Sequence, residues 1–591
     1  MLKKFLLNAL SSFVGAWLAI IICVIGLTFL ILGIIGSIAN TEVAKVSKHS
    51  VMHLFLSGEI VEAETTTQLD YTVLLSGRLE QPQTLKNITA ALEKAKTNSS
   101  IDALFIECGG VSAAPATLDA LRNAIKEFKK SGKRVFAYGD NLSMGDYYVA
   151  TVADALYLNP AGSLDLQGLN GTSLYFKDLL DKIGVDVQIV RVGTFKSAVE
   201  PFTSNQMSEP AKLQLDTLYS TMWDYILDGI AEERKVKAAT VDSLVNRFIF
   251  LDKAATAKEY NLVDDCLYYR QVREQIADYT GQDTDDLNFV SPDLVLGNQP
   301  YNSSAKNQVA VLYAVGDIAE TAGAGINCHD LVPIIVSLAE DENVKGLVLR
   351  VNSPGGSVFG SEQIGEALDY FKSKEKPLAV SMGDYAASGG YWISAGADRI
   401  FADPLTITGS IGIFGMVPNV QKLTDKIGVH PQTTGTNPGV LFPSIFYPMS
   451  ESQLAALQKN VERGYEAFVT RVAEGRHKTP EYIKSIAEGR VWSAIKAREL
   501  GLVDQLGGLQ EAVDWVAGKA DITNHNVVYY PEPESNFWNI IYSSGMQNAE
   551  IRTVMERLKA KQIDEKMMNM IEWFLMQSHV QARSPYYRIS L

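Results

Sequence analysis

Between Lys4 and Glu42 the chain carries no charge, and Ala9 to Ile38 is almost wholly apolar, with Trp17, Ile20, Ile25, Phe29 and Ile34 along it. About 20 apolar residues cross a bilayer as a helix, so residues 9–38 are expected to form a membrane anchor. Ser37-Ile38-Ala39 has the small-residue look of a signal-peptide cleavage site. A cleaved signal, however, has an apolar core of only about 7–15 residues. Lys3 and Lys4 place the short leader, residues 1–8, in the cytoplasm and the body on the far side. Lys45 and Lys48, just past the span, pull the other way.

Beyond the anchor the period changes. Val309–Val315 and Gly346–Val351 are short β-rich runs of buried-strand length. Ser361–Lys374 sets Ile364, Ala367, Leu368 and Phe371 at helical spacing, with charged residues opposite. Leu378–Met382 reads as the next strand, with Gly383 opening a turn and a helix expected over Tyr391–Ala395. Alternating strands and helices predict an α/β fold with a largely parallel sheet covered by helices. The last segment, residues 521–591, holds a Pro-containing linker, Tyr530-Pro-Glu-Pro533, and amphipathic stretches around Ile551–Leu558 and Met567–Met576. Its methionine stripe suits a docking or oligomer surface better than a cofactor site.

The chain after the anchor is built twice. Asp181-Lys-Ile-Gly-Val-Asp186 returns as Asp425-Lys-Ile-Gly-Val-His430, and Met207-Ser-Glu209 as Met449-Ser-Glu451. Gly145-Asp-Tyr-Tyr148 returns as Gly389-Gly-Tyr-Trp392, and Asn261-Leu-Val-Asp264 as Gly501-Leu-Val-Asp504. Leu54–Ile60 has its counterpart in Leu312–Ile318. Order and a spacing of roughly 240–258 residues hold throughout, which marks two homologous halves, residues 45–300 and 305–520.

Composition narrows the function. The 591 residues are 47% apolar, as expected of a globular chain, and the net charge is −15, the wrong sign for a nucleic-acid binder. The cysteines Cys23, Cys108, Cys266 and Cys328 are scattered, so neither a disulfide framework nor a zinc site is expected. No metal or organic cofactor is implied.

The halves differ where chemistry would sit. Asn352-Ser-Pro-Gly-Gly-Ser357 and Gly383-Asp-Tyr-Ala-Ala-Ser-Gly-Gly-Tyr391 follow strands in the second half. The first half offers Glu107-Cys-Gly-Gly110 and Asp140–Tyr147 instead, with Met144 opposite Ser388. A serine at a strand-to-helix turn suits a nucleophile, and an N-cap serine would explain it as well. The adjoining glycines leave backbone N–H groups able to approach a ligand. The seven histidines are isolated, and Ser388 lacks the Gly-x-Ser-x-Gly frame. A lysine base is the alternative. Arg191–Phe202 supplies Lys196 in an apolar setting, against approximately Pro438 in the repeat. The serine is unique to one half and the lysine to the other, the pattern of one site shared between both. A neutral lysine needs a pKa lowered by burial. Ser410, in Thr408-Gly-Ser-Ile-Gly412, and Ser197 are candidates to orient its amine.

At these residues the sequence resembles the signal peptide peptidase A (protease IV) family in its long, duplicated form, over essentially the whole chain. The resemblance implies a Clp protease/crotonase-like fold in each half, with Ser388 as nucleophile and Lys196 as general base. It also implies oxyanion donors among Gly355, Gly356 and Gly389, and a homo-oligomer on the bacterial inner membrane. Released signal peptides and other short apolar peptides would be the substrates. Two rival readings are a crotonase-like acyl-CoA enzyme and an inactive peptidase-like scaffold. The first lacks a fitting charge and topology, and the second would have been favoured by loss of Ser388 or Lys196.

Overall fold

The structure is a computed structural model describing residues 46–63, 83–297, 305–320, 325–437, 439, 442–531 and 581–583. The expected anchor at 9–38, the helical stretches of the C-terminal segment and Pro438 lie outside the described residues. Among the described residues no helix is long and apolar enough to cross a membrane.

Each half forms its own sheet. In the first, β1 (Ser50–Val61), β2 (Ile101–Ser112), β3 (Arg134–Gly139) and β4 (Ala155–Leu158) lie side by side in that order, all parallel. Parallel neighbours need a crossover, and the chain supplies α1 (Leu85–Thr97), α2 (Pro115–Lys129) and α3 (Met144–Ala150) between successive strands. Beyond them come β5 (Asp186–Val192) and the long α4 (Glu209–Arg234).

The second half repeats the plan with β6 (Asn307–Val315), α5 (Cys328–Glu340), β7 (Val344–Ser353), β8 (Gly355–Ser357) and α6 (Val358–Ser373). It continues through β9 (Leu378–Ala387), α7 (Gly389–Ser394), β10 (Arg399–Ala402), β11 (Ile407–Gly409), β12 (Ile413–Asn419) and α8 (Glu451–Gly475). The last described elements are β13 (Val491–Ser493), α9 (Leu509–Lys519), β14 (His525–Tyr530) and β15 (Gln581–Arg583). The sheet order is β13-β11-β9-β7-β6-β14, with β10 beside β9. Both faces are covered. Leu347, Leu349 and Val351 of β7 pack with Ile364, Leu368 and Phe371 of α6. Val348, between them in sequence, joins Val513 and Val516 of α9 on the other side. A strand buried on both faces needs a continuous apolar run rather than alternation, and that is how β7 reads.

The duplication is visible atom by atom. Tyr147 Oη donates to Leu262 O at 2.9 Å, and its counterpart Tyr391 Oη donates to Leu502 O at 2.8 Å. Asp264 accepts from Leu156 N, and Asp504 from Ile400 N, both at 2.7 Å. Ser208 caps α4 and Ser450 caps α8, each through its side chain. The repeated motifs therefore do structural work common to both halves.

Two expected boundaries move. β9 does not stop at Met382: Tyr385, Ala386 and Ala387 pair in parallel with Ile407, Thr408 and Gly409 of β11, so extended backbone runs through Gly383 up to Ser388. The second half also reaches past residue 520, because β14 completes its sheet by parallel pairing with β6. A third, mixed sheet joins the halves: β5 of the first half runs antiparallel to β12 of the second, from Val192↔Ile413 to Asp186↔Asn419.

Candidate active site

That inter-half pairing places Lys196. β5 ends at Val192 opposite the first residue of β12, so the chain leaving β5 emerges beside the chain entering β12 through Ser410. A turn of the second half then clamps it: Phe195 N donates to Glu488 O at 2.9 Å, and Arg490 lies 4.9 Å from the Phe195 ring centroid. Gln214, buried on α4, donates to Phe195 O and to Ser197 Oγ at 3.1 Å each and accepts from Val491 N.

Ser388 stands at the break between β9 and α7 with φ +55° and ψ −116°, a conformation costly for any residue but glycine. It makes no side-chain cap bond to α7, so N-capping is not what the hydroxyl does. Lys196 Nζ lies 2.7 Å from Ser388 Oγ, 3.1 Å from Ser410 O and 3.1 Å from Ser410 Oγ. All three residues are fully buried. Of the two serines considered as orienting groups, Ser410 is the one beside the amine, while Ser197 receives Gln214. Burial pushes the Lys196 ammonium well below the ordinary lysine range. A neutral amine has one lone pair and two N–H bonds. The three neighbours match that inventory: the Ser388 hydroxyl can donate to the lone pair, and the two Ser410 oxygens can accept.

The glycine loop lies alongside. Gly355 has φ +110°, and its N–H reaches Ser353 Oγ at 3.2 Å. A Cβ at Gly356 would sit 2.1 Å from Ile318 O, and one at Gly390 would sit 2.6 Å from Ser353 O. Only glycine permits these backbone approaches: the first seats the loop against Ile318, and the second seats the start of α7 against Ser353.

The first half is built differently at the corresponding place. Its helix α3 is conventionally capped by Ser143, Met144 is buried, and the Asp146 carboxylate accepts from Gly110 N at 3.2 Å and Val111 N at 3.1 Å. Where the second half carries Gly390, the first carries a carboxylate that already occupies its own backbone donors.

Sequence reading missed the polar belt that ties the halves together around the site. Arg350 of β7 forms a two-pronged pair with Glu62, just after β1, at 2.7 and 3.1 Å, both residues being buried. Asp384 of β9 accepts from Thr117 N at 2.8 Å and from Asn352 Nδ2 at 3.0 Å, and Asn352 Oδ1 accepts from Tyr385 N. The two motif loops are thus pinned to one another and to the first half. Gly489 was missed too: a Cβ there would meet Lys196 Cβ at 2.7 Å. The signal that could have marked one of these positions is a polar residue inside an otherwise apolar run, Arg350 in β7. Among the described residues no group of His, Cys, Asp or Glu is arranged to hold a metal ion.

Comparison with known proteins agrees with the duplication. The model of Peptidase family S49 matches residues 127–283 and again 370–523, once in each half. "Protease 4" of Haemophilus influenzae is 38% identical over 444 residues, 72% of each chain. "Protease 4" of Salmonella typhi is 34% identical over 532 residues, 86% of this chain and 85% of its own. A solved ClpP1 mutant from Listeria monocytogenes aligns with 35% of this chain and 95% of its own at 17% identity. Its TM-score of 0.24 is too low to support a shared fold. The chain belongs to peptidase family S49 and is a serine peptidase.

Proposed function

We propose that Ser388 is the nucleophile and Lys196 the general base of this peptidase, and that the chain is held to a membrane by residues 9–38 and cleaves released signal peptides and other short apolar peptides. The observation that carries the reading is the buried 2.7 Å contact between Lys196 Nζ and Ser388 Oγ, made by residues from opposite halves of the duplication. The neutral amine takes the Ser388 proton as Oγ adds to the peptide carbonyl. The resulting ammonium keeps Ser410 O and Oγ as acceptors. It then protonates the leaving amine, and water attacks the acyl-enzyme with the same lysine as base. The N–H of Gly389, with that of Gly355 or Gly356, supports the oxyanion.

The test is cleavage of a quenched Leu- and Ala-rich peptide by the wild type, Ser388→Ala and Lys196→Met. Loss of a positioned base costs about 10²–10⁴ in rate, so Lys196→Met should fall by that factor and lose the alkaline-rising limb of the pH profile. Equal rates in the wild type and Lys196→Met would overturn the reading.

A further inference from the structure

Lys196 and Ser388 come from opposite halves, so their separation depends on how the backbone carrying the amine is held against the backbone carrying the hydroxyl. One side chain bridges the two. Gln214 lies on the second turn of α4 and is 1% exposed. A primary amide has two N–H bonds to donate and one oxygen to accept. Gln214 Nε2 donates to Phe195 O and to Ser197 Oγ at 3.1 Å each, so it holds the residue on either side of Lys196. Its Oε1 accepts from the N–H of Val491, the first residue of β13, at 3.3 Å. Val491 is paired with Gly409 of β11. Gly409 O in turn accepts from Ser388 N at 2.8 Å, and the next residue is Ser410, whose oxygens face the amine. The route from the flanks of the lysine to the backbone N–H of the serine therefore runs through one buried amide and one strand pair.

The duplication supplies an independent argument. Counted from the capping serines Ser208 and Ser450, the position equivalent to Gln214 is Ala456, which has no polar side chain. A helix of this kind thus folds in the other half without the amide. Gln214, like Lys196 and Ser388, belongs to one half alone.

We infer that Gln214 is a positioning residue of the dyad: it sets where the Lys196 amine stands relative to Ser388 by holding both neighbours of the lysine to the strand pair from which the serine hangs. The inference rests on the proposed roles of Ser388 and Lys196. Gln214 touches neither reacting atom, so its loss acts on the rate of proton transfer and leaves peptide binding alone.

The experiment uses the full chain in detergent micelles and the quenched Leu- and Ala-rich peptide, comparing the wild type with Gln214→Met, Ser197→Ala and Lys196→Met. Methionine keeps the length and the apolar stem and removes all three hydrogen bonds. Ser197→Ala removes one partner and leaves the amide in place. A displacement on the 1 Å scale costs about 10²-fold in rate. Gln214→Met should therefore lose about 10- to 100-fold in kcat with KM unchanged, and Ser197→Ala about threefold. Fluorophosphonate labelling of Ser388 separates a displaced base from a damaged fold: the endpoint should stay at the wild-type value while the rate falls in step with kcat. A Gln214→Met kcat within about twofold of the wild type, or a lowered endpoint with an unchanged rate constant, would overturn the inference. Where Gln214→Met does not fold, Ser197→Ala with the wild-type kcat overturns it. Full activity in Lys196→Met would instead overturn the reading on which the inference rests.

Discussion

Replacing Gly489 with alanine perturbs the proposed base, Lys196, without touching it chemically. Gly489 has φ +76°, where an L-residue costs about 1–2 kcal/mol. The new Cβ would lie 2.7 Å from Lys196 Cβ, 2.8 Å from its N and 2.9 Å from its Cα. Two of these atoms are backbone, so no rotamer change relieves the contact. Reaching an ordinary 3.4 Å separation requires the Lys196 segment to move by about 0.7 Å. That would stretch the 2.7 Å approach of Nζ to Ser388 Oγ beyond hydrogen-bond range. A 1 Å misplacement costs about 10²-fold, so 0.7 Å scales to roughly 25-fold in kcat, or about 2 kcal/mol. KM should hardly change, because Gly489 backs the main chain of Lys196. The assay is steady-state cleavage of the quenched peptide, with the rate of fluorophosphonate labelling of Ser388 as an independent readout. Gly501→Ala is the control: it has φ +72° but meets only the flexible end of Lys478. It should lose stability and keep kcat. A Gly489→Ala enzyme with kcat within twofold of the wild type would refute the argument that this glycine sets the lysine's position.

Ser410→Ala removes one of the two oxygens facing the Lys196 amine and leaves the carbonyl; kcat should fall about tenfold, the loss of about one hydrogen bond to a charged group in the transition state, with KM unchanged. Lys196→Met should raise the melting temperature at neutral pH. The folded lysine pKa is lowered, so the unfolded chain binds the extra proton, and wild-type stability rises with pH up to the ordinary value of 10.5. Thermal melts at increasing pH should therefore show the gap between variant and wild type closing. Glu62→Ala leaves Arg350 buried without its partner and should cost about 3–5 kcal/mol. The double variant Glu62→Ala/Arg350→Met should recover much of that in denaturant melts.

The fold was legible where the repeat could be read against itself. Tyr147 with Tyr391, and Asp264 with Asp504, recur in sequence because each makes the same backbone bond in its half. The candidate site was legible by the opposite rule: Ser388 and Lys196 stand out as residues that do not recur, and the fold sets them 2.7 Å apart. What could not be read is whatever the register between halves creates. Gly489 touches Lys196, and Gln214 ties it to β13, only because β5 pairs with β12 at Val192↔Ile413. Nothing local in the sequence specifies that register. The run of β9 through Gly383 was hidden for a similar reason, since its pairing partner β11 lies about 20 residues downstream. β15 was invisible because backbone pairing leaves no side-chain pattern.

The carboxylate of Asp146 resting on Gly110 N and Val111 N has a consequence for stoichiometry. Two folded halves would lead one to count two reactive centres per chain, yet in the first the backbone donors are already held by a carboxylate of the same half. An external anion would have to compete there with a buried, covalently tethered partner. A serine-directed inhibitor or an acyl donor should therefore titrate one equivalent per polypeptide. The first half then has a different value: it sets Lys196 beside Ser388 of the other half at a fixed one-to-one ratio, indifferent to dilution.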